Sequence, residues 1–374
     1  MLNTFAPPFK VVATHFIFGF LYLVGFFILF STNNFYDYEF KAFLHCFFAG
    51  FALNIIIGAL YQLSSVIYEK AFISIKGVLI ASILQNISLA IMIFALKNAD
   101  FELLKYSILG VFFALAYFVI LFLLSFRDFD NIAKTTIFTG VIFLAFGILA
   151  ALLISFTLNG DLFLDYSLLL KLHIYFMLGF VLFICIGAGS VLLPMFALTH
   201  KHKNTLLWIS FISFIFGAFH IIFIYFSTFA LAFWCLYIIY TRIRKAFDFW
   251  NLNVILASFG LILASVIFYL GDFRLAILVL ISAAILPFII GHIYKILPFL
   301  IWYHYIARFV GIRKVPLLND LVLSKVAFFT IILNLCLILA LIFDYKYSSY
   351  IFLALMIGLF INVINFFRFI WEFK

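Results

Sequence analysis

Charge is what this chain has least of. Only 10% of its 374 residues are Asp, Glu, Lys or Arg, against 68% hydrophobic residues, and the mean hydropathy is +1.32. Such a composition cannot supply a water-facing surface, which excludes a soluble globular domain of any size. Cysteine is scarce too: Cys46, Cys185, Cys235 and Cys336 lie in four separate apolar stretches without CxxC spacing. That pattern excludes a disulfide framework and a zinc knuckle. Carboxylates are the third absence, because all fourteen acidic residues, from Asp37 and Glu39 to Asp344 and Glu372, fall in expected loops or at helix ends. A carrier that moves protons on an intramembrane Asp or Glu is therefore disfavoured. No His-Glu-x-x-His pattern occurs, so an intramembrane metalloprotease is rejected.

What the chain has instead is apolar length. A spanning helix needs about 20 apolar residues. Hydropathy places spans at Val11–Phe30, Ala42–Ile67, Ile73–Leu96, Leu104–Phe126, Thr135–Thr157, Leu168–Leu198, Thr205–Tyr225, Ser227–Tyr240, Leu252–Leu270, Phe273–Leu300, Leu321–Phe343 and Ser349–Ile370. Only Lys10 precedes the first run and no small-residue cleavage site follows near Ser31 to Asn34, so that run reads as a retained anchor. Residues 205–240, free of Asp, Glu, Lys and Arg, form either one overlong helix or a hairpin turning near Phe226-Ser227-Thr228. With the hairpin, connections on the N-terminal side carry sixteen Lys and Arg against six on the other, Lys295 being counted on neither. Without it the split becomes nine against thirteen, and the positive-inside bias largely disappears. The expectation is thus an all-α polytopic membrane protein of about twelve transmembrane helices, a single transmembrane domain with both termini cytoplasmic. Its +9 formal charge then serves orientation and contact with the lipid bilayer and gives no sign of nucleic acid.

Related motifs end the second, sixth and tenth spans. They are Gly58-Ala59-Leu60-Tyr61-Gln62-Leu63-Ser64-Ser65-Val66, Gly187-Ala188-Gly189-Ser190-Val191-Leu192-Leu193-Pro194-Met195 and Gly291-His292-Ile293-Tyr294-Lys295-Ile296-Leu297-Pro298-Phe299. The even spacing of four spans suggests three four-helix pseudo-repeats, roughly 1–130, 131–246 and 247–374. A Gly with a Pro seven residues later permits close packing and then weakens the last helical turn. The motif is either a helix terminus without chemistry or one wall of a polar cytoplasmic cavity lined by Tyr61, Gln62, Ser190, Tyr294 and Lys295.

Histidine is the intramembrane ionisable residue. On the twelve-span topology His45, His173 and His220 lie near the outer ends of spans two, six and seven, each within about two turns of the boundary at a rise of 1.5 Å per residue. Neutral imidazole binds haem iron, copper or zinc without adding charge to a low-dielectric site. On a regular helix Ala49, Ala52 and Ala59 fall within about 40° of the His45 direction, a smooth face suited to a planar ligand or to a neighbouring helix. His15 and His292 read as packing residues at other depths. His200 and His202 belong to a basic loop, and His304 to an interfacial aromatic belt with Trp302, Tyr303 and Tyr305.

With histidines on spans two, six, seven and ten, the chain resembles subunit I of the haem-copper oxidases. Its segment His45-Cys46-Phe47-Phe48-Ala49-Gly50-Phe51, leading to Gly58-Ala59-Leu60-Tyr61-Gln62-Leu63, also resembles bacterial membrane proteins grouped with that family and, more distantly, NnrS-like haem- and copper-containing proteins. The resemblance implies His45 as the helix-two haem ligand, His173 and His220 as metal-side histidines, and His292 as a helix-ten ligand. It also implies haem b or copper as cofactor and a place in the bacterial inner membrane beside respiratory-chain or oxidase-assembly proteins. The departures are specific. The family has adjacent histidines on helix seven and His-x-His on helix ten, whereas Phe219-His220-Ile221 and His292-Ile293-Tyr294 offer one each, and Met177 stands four residues after His173. These argue against oxygen reduction at a binuclear centre and name no catalytic residue. The expected role is one haem or one copper in electron transfer, nitric-oxide handling or oxidase assembly. A carrier or channel for a small solute, or a non-catalytic subunit of a respiratory complex, remains as an alternative class.

Overall fold

The computed structural model describes residues 5, 7–32, 37–199, 202–243, 245–343 and 346–373. Asn33, Asn34, His200, Lys201, Arg244, Asp344 and Lys374, which entered the sequence reading, lie outside the described residues. Among the described residues twelve helices follow in order: α1 Phe9–Thr32, α2 Tyr38–Ile67, α3 Val78–Lys97, α4 Phe101–Ser125, α5 Ile132–Leu158, α6 Tyr166–Ala197, α7 Thr205–Phe216, α8 Ile222–Thr241, α9 Phe249–Tyr269, α10 Phe273–Phe309, α11 Ser324–Ile342 and α12 Ser348–Glu372. Eleven are long and apolar enough to cross a membrane; α7 is a shorter apolar helix of 12 residues. The chain is a multi-pass, all-α membrane protein, as its charge-poor composition requires.

Side-chain caps begin several of these helices. Asp100, Asn131, Asp248 and Asp272 accept from the backbone N–H of Leu103, Lys134, Asn251 and Leu275, opening α4, α5, α9 and α10. Four capping residues, three of them acidic, therefore stand at helix ends because that is where an oxygen acceptor offsets the exposed N–H groups and the positive end of the helix dipole.

The chain divides into two compact units, Met1–Leu192 and Leu193–Lys374. Within the first, α1 packs on α2, α3 on α4 and α4 on α5; within the second, α7 packs on α8, α8 on α9, α9 on α10 and α11 on α12. Each of the three motif glycines marks a close approach between helices. A Cβ on Gly58 would lie 3.0 Å from His15 Cβ on α1, one on Gly187 would lie 2.5 Å from Ile137 and 2.7 Å from Thr136 Oγ1 on α5, and one on Gly291 would lie 2.9 Å from Asn253 Cβ on α9. One turn away the match recurs: a Cβ on Gly19 would meet Ile55 Cδ1 at 3.0 Å, and one on Gly140 would meet Ile184 Cδ1 at 3.1 Å. Each motif glycine is thus the point where a helix meets its predecessor with no room for a side chain, which is how small residues bring membrane helices together.

Gly260 makes the tightest contact with backbone, since its missing Cβ would run into the carbonyl of Ala283 on α10. Backbone cannot step aside as a flexible side chain can. Gly260→Ala is expected to destabilise the second unit by about 1–3 kcal/mol, the usual cost of overpacking. Thermal unfolding in detergent checks this, with Gly271→Ala, at a turn with open space but φ of +94°, as a comparison in which only backbone strain acts.

Three expectations are corrected. The hairpin between α7 and α8 exists, but its turn lies at 217–221 and not near Phe226-Ser227-Thr228. The reason is that Ser227 is fully buried and bonded to Ser210 across the helix pair, Ser210 Oγ donating to Ser227 O at 2.9 Å and Ser227 Oγ to Ser210 O at 2.7 Å. A polar residue that looks like a turn former is here a helix–helix link. Second, Pro194 and Pro298 lie inside α6 and α10 and do not end them; α10 continues to Phe309, so the expected loop from Ile301 begins later. Third, α2 and α10 are not regular. Cys46–Ala52 and Leu280–Ile285 are π-helical, and both segments end six residues before the motif glycine. A π turn rotates everything after it relative to a regular wheel, so Ala52 is buried while Ala49 and Ala59 are only partly covered. No single alanine face runs along α2.

One ion pair joins the α2–α3 connection to the α4–α5 connection, and another joins the first turns of α4 to the α5–α6 connection. Lys70 Nζ meets Asp128 Oδ2 at 2.8 Å, and Lys105 Nζ meets Asp161 Oδ2 at 2.8 Å. The hydrogen bond from Lys70 holds the Asp128 carboxyl below the usual carboxylate range. A depressed carboxyl adds stability that is present above its unfolded value, near pH ~3.9, and lost as pH falls through the folded value. Lys70→Met is therefore expected to lower stability slightly at neutral pH and to converge with the parent chain once the pH has fallen below the depressed value of the folded carboxyl. Unfolding midpoints measured against pH at low salt check it, the exposed pair being screened at high salt.

Candidate functional site

The first unit brings two of the expected ligands together. His45 ends the regular first segment of α2, at the entry to the π turn, and His173 lies on α6. Their rings are 6.2 Å apart between centroids with planes 8° from parallel. Each ring is oriented through its Nδ1: His45 donates to Lys41 O at 2.7 Å and His173 to Gly147 O at 3.0 Å. The Nδ1–H donors fix the tautomers and leave both Nε2 lone pairs available, and among the described residues no hydrogen bond engages either Nε2. This is the outer-atom arrangement that orients metal-ligating imidazoles.

The spacing fits a shared ion. Two imidazoles bound to one metal through bonds of about 2.0 Å place their ring centres roughly 5 to 6 Å apart, from tetrahedral to opposed ligation. A group of three or more His, Cys, Asp or Glu side chains able to hold a metal does not occur among the described residues. Any metal held by this pair would need its remaining positions filled from elsewhere.

Gly147 is a positioning element for this pair. A Cβ on it would lie 2.6 Å from Met177 Sδ, so a larger residue must displace the Met177 side chain where the Gly147 carbonyl reaches His173. Gly147→Ala is expected to loosen His173 and to weaken any metal affinity about 10–100-fold, the usual effect of losing the partner that orients a ligand. Metal titration of the purified variant checks it.

The other expected residues are placed elsewhere. His220 is exposed in the turn between α7 and α8, where its Nδ1 accepts the Ile222 N–H at 3.2 Å. His292 is buried on α10, its Nδ1 donating to Phe288 O at 2.7 Å. Tyr61 is buried with its ring stacked 5.7 Å from His15 and 5.1 Å from Phe72. Gln62 keeps a buried Oε1 without a partner among the described residues. Ser190 Oγ donates back to Gly187 O at 2.7 Å, within its own helix. In the second unit Tyr294 is buried against Phe249 and Phe366, and Lys295 is paired with Asp248 at 2.9 Å.

A polar cluster that the sequence reading passed over fills the centre of the first unit. Asn54 on α2 and Asn86 on α3 exchange amide hydrogen bonds of 2.9 and 3.1 Å, while Asn54 Nδ2 also donates to Gly50 O and Asn86 Nδ2 to Ser82 O. Both amide hydrogens of Asn54 are thereby used, so its Oδ1 accepts from His15 Nδ1 at 3.3 Å. His15 thus carries a hydrogen on Nδ1, and its buried Nε2 has no partner among the described residues. Tyr22 OH donates to Asn86 O at 2.5 Å. The legible signal was a pair of asparagines in otherwise apolar spans, residues that hydrogen-bond across helices in membranes.

The chain matches no protein-family model, and no curated protein matches it. Its functional reading therefore rests on its own residues.

Proposed function

We propose that this protein binds one haem b or one copper ion through His45 and His173 in the bacterial cytoplasmic membrane, and that it is related to subunit I of the haem-copper oxidases without reducing oxygen. The carrying observation is the parallel imidazole pair, each ring pinned by a backbone carbonyl and each Nε2 open. A bound haem or copper would supply one-electron chemistry or affinity for a small diatomic ligand. The chain's own part is to hold two neutral imidazoles, fix their tautomers and surround them with apolar helices. Electron transfer, nitric-oxide response and assembly of a terminal oxidase all use such a centre, and respiratory-chain or oxidase-assembly proteins are the partners proposed. The excess of Lys and Arg on the N-terminal side, which holds when α7 and α8 together cross and recross the membrane, supports cytoplasmic termini.

The deciding experiment is a dithionite-reduced minus oxidised absorption spectrum of the purified protein, with metal analysis on the same sample, from cells supplied with haem and copper. A b-type difference spectrum or stoichiometric copper supports the proposal. A colourless, metal-free protein rejects it.

A second reading has its own observation. The His15, Asn54, Ser82 and Asn86 cluster is a buried polar centre inside apolar helices, and polar groups at such depth commonly mark solute pathways. It supports a carrier or channel for a small solute. Solute uptake by proteoliposomes, abolished in Asn86→Leu while the spectrum stays blank, separates the two readings.

A further inference from the structure

The second unit contains a matched pair of unused hydrogen-bonding atoms. His292 donates through Nδ1 to Phe288 O, so its Nε2 carries a bare lone pair, buried and without a partner among the described residues. Trp250 on α9 is fully buried, and its indole Nε1–H, a donor only, is likewise without a partner among the described residues. The two rings are neighbours, 6.3 Å between centroids and 82° between planes. An acceptor and a donor left unpaired in an apolar interior each cost free energy, and a native structure does not leave such groups without a reason.

The surroundings define what satisfies them. Phe288 lies 4.3 Å from the imidazole, and Phe196 lies 6.1 Å from it and 5.5 Å from the Trp250 ring. The donor, acceptor and walls are held by tight backbone contact, because Gly291 brings α10 against α9 beside Asn253 and the Trp250 carbonyl. A metal ion finds only one nitrogen ligand here, and among the described residues no cluster of His, Cys, Asp or Glu supplies others. One hydroxyl has the chemistry to meet both needs, since its oxygen accepts from an indole N–H and its hydrogen is donated to an imidazole lone pair.

We propose that Trp250 and His292 form a binding site for a single hydroxyl group in an aromatic cage, supplied by a trapped water or by a small apolar alcohol. This differs from the resemblance, which implies a metal ligand at His292. It is independent of the His45–His173 centre.

The test uses the full-length protein in nanodiscs with 15N-indole-labelled tryptophan, the Trp250 signal being assigned by its loss in Trp250→Phe. The expected result is a Trp250 indole proton shifted downfield as in a hydrogen-bonded indole, moving upfield in His292→Phe while the other indole signals stay. A cross-peak from that proton to water assigns the hydroxyl to water; a saturable shift on titration with 1-butanol assigns it to an alcohol. Should His292→Phe not fold, the reciprocal measurement applies: in Trp250→Phe the 15N-labelled His292 Nε2 is expected to move toward the value of a free lone pair. A Trp250 proton at the free-indole position, or one indifferent to His292, overturns the proposal. So does loss of a haem or copper signal in His292→Phe, which would make Nε2 a metal ligand.

Discussion

Either His45→Ala or His173→Ala is expected to abolish the reduced-minus-oxidised signal, or the bound copper, while leaving the helical protein intact. Disturbing only the groups that orient a ligand lowers metal affinity by about 10–100-fold. Removing one of two imidazole ligands should exceed that and bring occupancy below detection. Both side chains are only part-buried, and each is bonded to a single backbone carbonyl, so neither change opens a large core cavity. His220→Ala is the informative contrast. Its ring is exposed in the turn between α7 and α8, and the signal is expected to survive. If His45→Ala and His173→Ala both retain a full spectrum, the paired rings are structural and the ligand assignment fails. Exogenous imidazole offers a further check, since it refills a ligand vacancy and would restore the signal of a variant that lost only its ligand.

The class of fold was readable because its cause is compositional: continuous apolar runs of about 20 residues, free of carboxylates and without the in–out alternation of a barrel strand, bury their backbone in lipid as helices. The close contacts were readable as glycines. Gly58, Gly187 and Gly291 stood out by their spacing, and each proves to be a place where a side chain has no room. The interruptions were not readable. Nothing in Cys46–Ala52 or Leu280–Ile285 distinguishes a π turn from an α turn, because the two differ in tertiary register and not in local residue preference. The turn at 217–221 was misplaced for a related reason: Ser227 and Thr228 have turn-like side chains, yet both spend their hydroxyls on helix partners, Ser210 and Tyr225. For the site, histidine identity was legible and juxtaposition was not. Depth along a helix groups His45, His173 and His220 alike, but whether two rings meet depends on helix rotation, which a sequence does not specify.

Asn54→Leu is expected to be among the most destabilising single changes in the first unit, by about 2–4 kcal/mol. The side chain makes four hydrogen bonds, to His15, to Gly50 O and twice to Asn86, at full burial. Leucine is close in size, so the loss comes from polar groups left unpaired and not from a cavity. An interhelical hydrogen bond inside a membrane protein is worth only about 0.6 kcal/mol on average, which alone would give a small effect. The larger figure arises because one substitution leaves Asn86 Oδ1 and one of the two Asn86 amide hydrogens unpaired and removes the Asn54 acceptor from His15 Nδ1, whose remaining neighbour is Ser82 Oγ at 3.5 Å, and a stranded buried group costs about 1–3 kcal/mol. That origin makes a second prediction with a definite sign. Asn86→Leu should also destabilise, but the double variant Asn54→Leu/Asn86→Leu should be less destabilised than the sum, because removing both partners leaves fewer groups unpaired. Thermal or denaturant unfolding in detergent, run as a full double-mutant cycle, measures the coupling. A coupling of zero would mean that the two amides are satisfied independently, by water or by other helices, and the network would not be the element joining α1, α2 and α3.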